Sequence, residues 1–352
     1  MEGISNEYIK NAIDELVDSL GIKEDIPIES VVRPLRNGKT KECIENIANY
    51  LGLPITVNLT ISDRFETRAL AATSSAGQGV QGITAQVSIP SNLPFYGTPS
   101  VHNIPVQVQV SGGYQQSAHT FVAIMAHELS HLVLHSLWHR EKNNEVYTDL
   151  AAMILGFSDV INSGRRVVKT QYYDTFSQTS TMTYGYLADE QFNFALNYVM
   201  RILKDKRSRW EDTKQQTIQT LAAYKKQVHL YRKTLYELNK LIEYLDRKAT
   251  TRKIRKEDVP KVVGIHSPGY LERFSSVLTN NERKLKEVES LYSERFQSPH
   301  QHYTTHRLDS LRIFYENLNA LVSSVTSEFN LLKDDVAVLR RCVGFWGRLN
   351  VR

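Results

Sequence analysis

From Leu308 to Val343 the apolar residues of this chain fall alternately three and four positions apart. They are Leu308, Leu311, Tyr315, Leu318, Val322, Val325, Phe329, Leu332, Val336, Leu339 and Val343. A repeat of this kind is the seam of a left-handed coiled coil, in which each helix buries one stripe against its neighbours. Two more series precede it. Leu221, Val228, Leu235 and Ile242 sit seven apart, with Tyr224, Tyr231, Leu238 and Leu245 three residues later. Leu271, Phe274, Leu278, Leu285, Val288 and Tyr292 form the other, with Asn281 at one seam position. Proline-containing connectors around 249–269 and 297–306 separate the three. Three long helices folded on one another would bury all three seams, which predicts an independent all-α coiled-coil or helical-bundle domain over 207–352.

Residues 1–206 read differently, as a mixed α+β domain. Ile9, Ile13, Leu16, Val17 and Leu20 repeat at helical spacing up to Gly21, and Cys43, Ile44, Ile47, Ala48 and Leu51 mark a second helix, so that helices occupy about residues 1–52. Residues 55–61 alternate apolar and polar, as do Ile83–Ile89 and Val106–Val110, which predicts three strands; 63–78 reads as a loop. After Gly112-Gly113 the period changes, and Thr120–Trp138 is unbroken by Gly or Pro, a helix. Another helix is expected from Asn144 to about Gly156, then a loop or hairpin rich in Tyr, Ser and Thr over 164–186, and a helix over about 188–205.

Charge follows the same division. Residues 1–200 carry 13 Lys+Arg against 20 Asp+Glu (−7), and residues 201–352 carry 30 against 18 (+12), which together give the net +5 of the chain. The basic half therefore suits an acidic partner. No apolar run reaches the roughly 18 residues of a membrane span. The polar start MEGISNEYIK is unlike a secretory signal, and the two cysteines, Cys43 and Cys342, make no disulfide framework, so a cytoplasmic protein without membrane partners is expected.

The chemistry concentrates in His127-Glu128-Leu129-Ser130-His131, inside the helix Thr120–Trp138. Two histidines one turn apart project from one face and can share a metal. Glu128, turned about 100° from His127, reaches a water at that metal without being a ligand. The bare pattern arises by chance in roughly 2 of 100 chains of this composition, so its surroundings must carry weight. They do: a valine strand precedes it, and a helix opening Asn144-Glu145-Val146-Tyr147-Thr148-Asp149 follows. Zinc needs a third protein ligand and an open position, and Glu145 can supply the ligand. Asp149, one turn further, is placed to hydrogen-bond a ligand imidazole. A third histidine in the metzincin arrangement would fall at 137, with Gly at 134; those residues are Leu137 and Leu134.

The run His127-Glu128-Leu129-Ser130-His131-Leu132-Val133-Leu134-His135, followed by Glu145-x-x-x-Asp149-x-x-Ala152, resembles the gluzincin metallopeptidases, and in particular ImmA/IrrE-type proteins. Asn144-Glu145 with Thr148-Asp149 is also similar to the corresponding helix of thermolysin-like enzymes, with a shorter gap between motifs. The resemblance covers about residues 40–205. It implies a zincin-like domain with a small sheet and an active-site helix, one Zn2+ per chain on His127, His131 and Glu145, and Glu128 as general base of peptide hydrolysis. The coiled-coil tail lies outside the family pattern.

The Tyr-rich segment from Tyr172-Tyr173 to Tyr184-Gly185-Tyr186 is the candidate source of a donor to an oxyanion, with Tyr186 preferred among its tyrosines. His135 and His139 continue the ligand face as packing or supporting groups, and His135 is grouped with Asp149 as outer support of the site. His300, His302 and His306 read as solvated loop polarity rather than a second metal site, and Arg247–Lys256 as a solvated basic connector. The leading expectation is a zinc endopeptidase acting on a specific intracellular protein, with residues 83–89 as a sheet edge that accepts a peptide. Its helical domain would recruit the target or a partner, or self-associate. The alternative is a zinc-containing regulatory or nucleic-acid-binding protein with little or no protease activity; the +12 tail favours it, and the intact Glu128 opposes it.

Overall fold

A computed structural model describes residues 4–62, 85–111, 117–172, 177–247, 259–265, 267, 269–297 and 302–349. The protein is mostly helical with small sheets, and it forms two compact units. One comprises Met1–Arg207 with Gln301–Thr305, the other Ser208–His300 with His306–Arg352. The expected loop 63–78, the glycines 112–113 and nearly all of the basic run 247–256 lie outside the described residues.

In the first unit, helix α1 (Asn6–Leu20) starts where the Ser5 side chain accepts the Tyr8 N–H and buries Ile9, Ile13, Leu16 and Leu20. Strand β1 (Ile22–Lys23) leads to α2 (Glu29–Arg36), whose Pro34 lies inside the helix and hid it from the sequence reading, and to α3 (Thr40–Leu51). Strands β2 (Thr56–Ser62), β3 (Ala85–Val87) and β4 (Pro105–Ser111) form a sheet in the order β2-β4-β3. β2 is parallel to β4 in the register Val57↔Val106, and β3 is antiparallel in the register Val87↔Val108. Val106, Val108 and Val110 are buried while Gln107 and Gln109 face solvent, so one face of β4 belongs to the core, as the alternation requires. β3 is shorter than the alternating run 83–89, whose first two residues lie outside the described ones.

Helix α4 (Ala118–Ser136) packs against α2, α3 and β3 and also against the two helices that follow it, α5 (Glu145–Ala152) and α6 (Ser158–Gly164). α4 ends two residues before the expected Trp138, because Leu137 caps it and Trp138 turns to φ +55°. The helix expected from Asn144 to Gly156 is interrupted: a π-helical turn, Met153–Phe157, joins α5 to α6. Gly156 sets that break. Its φ is +98°, its carbonyl accepts the Ile26 N–H (2.9 Å), and a Cβ there would stand 2.5 Å from the Glu24 carbonyl oxygen. Strands β5 (Arg166–Tyr172) and β6 (Ser177–Thr183) make the hairpin of 164–186. A two-residue strand, β7 (His302–Tyr303), pairs antiparallel with β1. His302 bonds the Leu20 carbonyl oxygen (2.6 Å), and the buried Tyr303 donates to Glu24 (2.8 Å).

Helix α7 (Asp189–Arg247) is continuous for 59 residues, where the sequence suggested a separate helix ending near 205. No Gly or Pro interrupts 189–247, and the boundary between the units falls inside it. In the second unit the rest of α7, the short α8 (Val259–Ile265), α9 (Tyr270–Phe296) and α10 (Thr305–Leu349) share one core. Tyr224, Val228, Tyr231, Leu235 and Leu238 meet Phe274, Leu318, Val325, Leu332, Val336 and Leu339 there, so the seams are consumed by this unit's own packing. The seam residue Asn281 is not left unsatisfied: its side-chain oxygen accepts the Tyr224 hydroxyl (2.9 Å). Ion pairs Arg232–Glu282 (2.6 Å) and Arg340–Glu237 (2.5 Å) flank the seams. Among the described residues no helix is long and apolar enough to cross a membrane.

Candidate metal centre

α4 and α5 build the site. The spacing of His127 and His131 puts both rings on one face of α4, 5.1 Å apart and nearly perpendicular. Asn144 fixes where α5 begins: its Oδ1 accepts the Val146 N–H (3.0 Å), a cap worth about 1 kcal/mol, which makes Glu145 the first helical residue. The Glu145 Oε2 then lies 3.1 Å from His127 Nε2 and 3.3 Å from His131 Nε2.

This geometry fits a metal ion. Two ligands each about 2.0–2.1 Å from a tetrahedral zinc stand roughly 3.3–3.4 Å apart, close to both separations. The tautomers agree as well. Asp149 Oδ1 is 2.7 Å from His127 Nδ1, and Thr148 Oγ1 is 3.3 Å from His131 Nδ1. The Thr148 hydroxyl spends its proton on the Asn144 carbonyl, so it accepts from His131. Both rings therefore carry Nδ1–H and leave Nε2 for a cation. Two imidazoles and a carboxylate are a donor set suited to zinc. Among the described residues, His127, His131 and Glu145 are the one group of His, Cys, Asp or Glu placed to hold a metal ion.

The electrostatics favour positive charge at this point. Burial alone would lower the His127 pKa, but the charge and hydrogen bond of Asp149, with Glu145 and Glu128, raise it to about 10. Burial would raise Glu145, yet the hydrogen bonds and charges of His127 and His131 bring it down to about 2. Glu128 is raised by burial and by Glu145, against the opposing pull of both imidazoles and a hydrogen bond from the Val87 N–H. That last contact brings the general-base candidate beside β3, which is an edge strand of the described sheet.

Tyr186 stacks on His127, ring centroids 5.6 Å apart. Its backbone N–H donates to Asp149 Oδ2 (2.7 Å). Burial first, then Glu145, Asp149 and Glu128, push its phenol up to about 12, so it stays a proton donor. Gly185 makes this approach possible: its φ is +96°, and a Cβ would stand 3.2 Å from Asp149 Oδ2.

The other sequence candidates go elsewhere. His135 bonds Asn143 Oδ1 (3.0 Å) and ties α4 to the segment before α5, while Thr148 holds the second ligand ring. His139 pairs with Glu15 (3.5 Å), which also receives Arg140 and Tyr147 (3.0 Å each), so this group docks α1 against the start of α5. His302 is engaged with Leu20, and His300 lies outside the described residues. Thr148 and Gly185 were missed. Thr148 carries a weak signal, standing three residues after Glu145 on the helix face that carries Asp149; Gly185 carries none. Comparison of the chain with models of known protein families, with curated proteins and with solved structures finds no match.

Proposed function

We propose that the protein is a zinc-dependent endopeptidase with a zincin-like catalytic domain of the gluzincin, ImmA/IrrE-like type, acting in the cytoplasm on a specific intracellular protein. The observation that carries this reading is the apposition of one Glu145 oxygen to the Nε2 atoms of both histidines, with Glu128 one residue along the same helix. A purely structural metal site has no use for that glutamate.

Bound Zn2+ supplies Lewis-acid polarisation of the scissile carbonyl and lowers the pKa of a water nucleophile. Glu128, its carboxyl raised by burial, takes the proton of the attacking water and returns it to the leaving amine. Tyr186 donates its phenolic hydrogen to the developing oxyanion; it is suited to this by remaining protonated beside three carboxylates. Asp149 and Thr148 hold the ligand rings in one tautomer. The substrate adds in extended form along the edge of β3, beside Glu128. The helical unit recruits the target or a partner through its outer surface, since its heptad positions are buried or half-buried in its own packing.

The test is expression of the wild type and of Glu128→Gln in the same cells, followed by labelling of new protein N-termini. Gln is nearly isosteric and accepts no proton from water. Wild-type cells should contain cleavage products that are absent with Glu128→Gln. Identical sets of N-termini would remove the peptidase reading and favour a regulatory protein.

A further inference from the structure

Arg165 lies outside every motif, at the entry to β5, and its side chain is almost fully buried (5% exposed). Its backbone carbonyl accepts the Tyr184 N–H (2.7 Å). Its Nη2 donates to the Leu187 carbonyl (2.7 Å) and lies 3.4 Å from Asp189 Oδ1. The guanidinium sits 4.1 Å over the Phe192 ring. One residue thus grips both ends of the segment Tyr184–Leu187.

That segment is the one that reaches the metal centre. Gly185 abuts Asp149, the Tyr186 N–H occupies Asp149 Oδ2, and Asp149 Oδ1 is on His127. An arginine here carries a cost beside these contacts. Among the described residues its buried Nε and Nη1 have no hydrogen-bond partner, and a buried unsatisfied donor costs about 1–3 kcal/mol. An apolar side chain over Phe192 would avoid that cost. What an apolar side chain would lack is the bond to Leu187, the contact with Asp189 and the charge over Phe192, all of which tie β5 to the end of the Tyr184–Leu187 segment.

We infer that Arg165 is a positioning residue of the metal centre: by clamping Tyr184–Leu187 it seats the Tyr186 N–H on Asp149, and through Asp149 it fixes the His127 ring for metal binding. The inference rests on the metal centre of the proposed peptidase and not on its substrate or turnover.

The experiment measures Co2+ binding to the full-length protein by competition with a chromophoric chelator, for wild type, Arg165→Leu, Asp149→Asn and the double variant. Arg165→Leu should weaken Co2+ binding about tenfold, the lower end of what loss of an outer partner of a ligand does. In the Asp149→Asn background the same substitution should change affinity by less than about twofold, because both act along one path. Should Arg165→Leu fail to fold, Arg165→Lys, which keeps the charge but has no planar guanidinium to lie on Phe192, completes the cycle with an intermediate loss. Wild-type affinity in the Arg165 variant, despite a lowered melting temperature, would overturn the inference and leave a structural arginine. So would a tenfold loss that persists undiminished beside Asp149→Asn. A wild type that binds no Co2+ would overturn the metal centre itself, a result separate from either.

Discussion

Asp149 Oδ1 stands 2.7 Å from His127 Nδ1, which makes a residue of α5 the partner that orients a residue of α4. The same carboxylate receives the Tyr186 N–H on its other oxygen (2.7 Å), so three separate segments meet at one side chain. Asp149→Asn keeps the shape but accepts at one oxygen instead of two. Metal affinity is expected to fall by about 10- to 100-fold, with the helical circular dichroism unchanged. Chelator competition checks this, and an unchanged dissociation constant would remove Asp149 from the site.

Protons and metal compete for His127. Its pKa is raised to about 10 by Asp149, Glu145 and Glu128 against the effect of burial. At neutral pH the ring therefore holds a proton that a metal must displace, and affinity should rise with pH until about 10. Calorimetric titration with Zn2+ in buffers of different ionisation enthalpy should show about one proton released from His127 per metal at pH 7. Absence of proton release would mean that the ring binds the metal from its neutral form.

Gly185→Ala places a Cβ in a backbone of φ +96° and 3.2 Å from Asp149 Oδ2. Strain of about 1–2 kcal/mol is expected, relieved by moving Tyr186 away from His127. Both the melting temperature and the metal affinity should drop. A loss of stability with full metal affinity would show that the Tyr186 segment is not coupled to the ligands.

Tyr303 tests where the segment 301–305 belongs. It follows α9 in the chain, yet it is buried with the first unit, paired to Ile22 and bonded to Glu24. Tyr303→Ala should destabilise the first unit by about 3–5 kcal/mol, as large-to-small changes of buried aromatics do. Hydrogen exchange in α1 and the turn at Gly156 should accelerate, while α10 amides near Leu332 keep their protection. The opposite pattern would assign the segment to the helical unit.

The parts of this protein that were legible in the sequence are those fixed by local spacing. The heptads of α10 are legible because a seam must recur every 3.5 residues, and His127, Glu128 and His131 because one helical turn joins them. Glu145 was legible because a helix opening Asn144-Glu145 follows the histidines closely and zinc needs a third protein ligand. The rest depends on residues far apart in the chain. Nothing near Arg165 announces Leu187, and nothing near His302 announces Leu20. The break after Ala152 is imposed by the contact of Gly156 with Glu24 and Ile26, and α2 escaped notice because Pro34 disguises its period. α7 is longer than expected for the converse reason: a change of packing partner leaves no mark when Gly and Pro are absent.

The metal centre is the claim on which the chemistry depends, and metal content of the intact chain measures it most directly. Native mass spectrometry, with elemental analysis, should find one zinc on each wild-type chain and one on Glu128→Gln, whose carboxylate is not a ligand. The His127→Ala/His131→Ala double variant should carry none, because a single carboxylate does not hold zinc against chelators. Full zinc occupancy in that double variant would contradict the account, since the metal would then reside away from His127, His131 and Glu145.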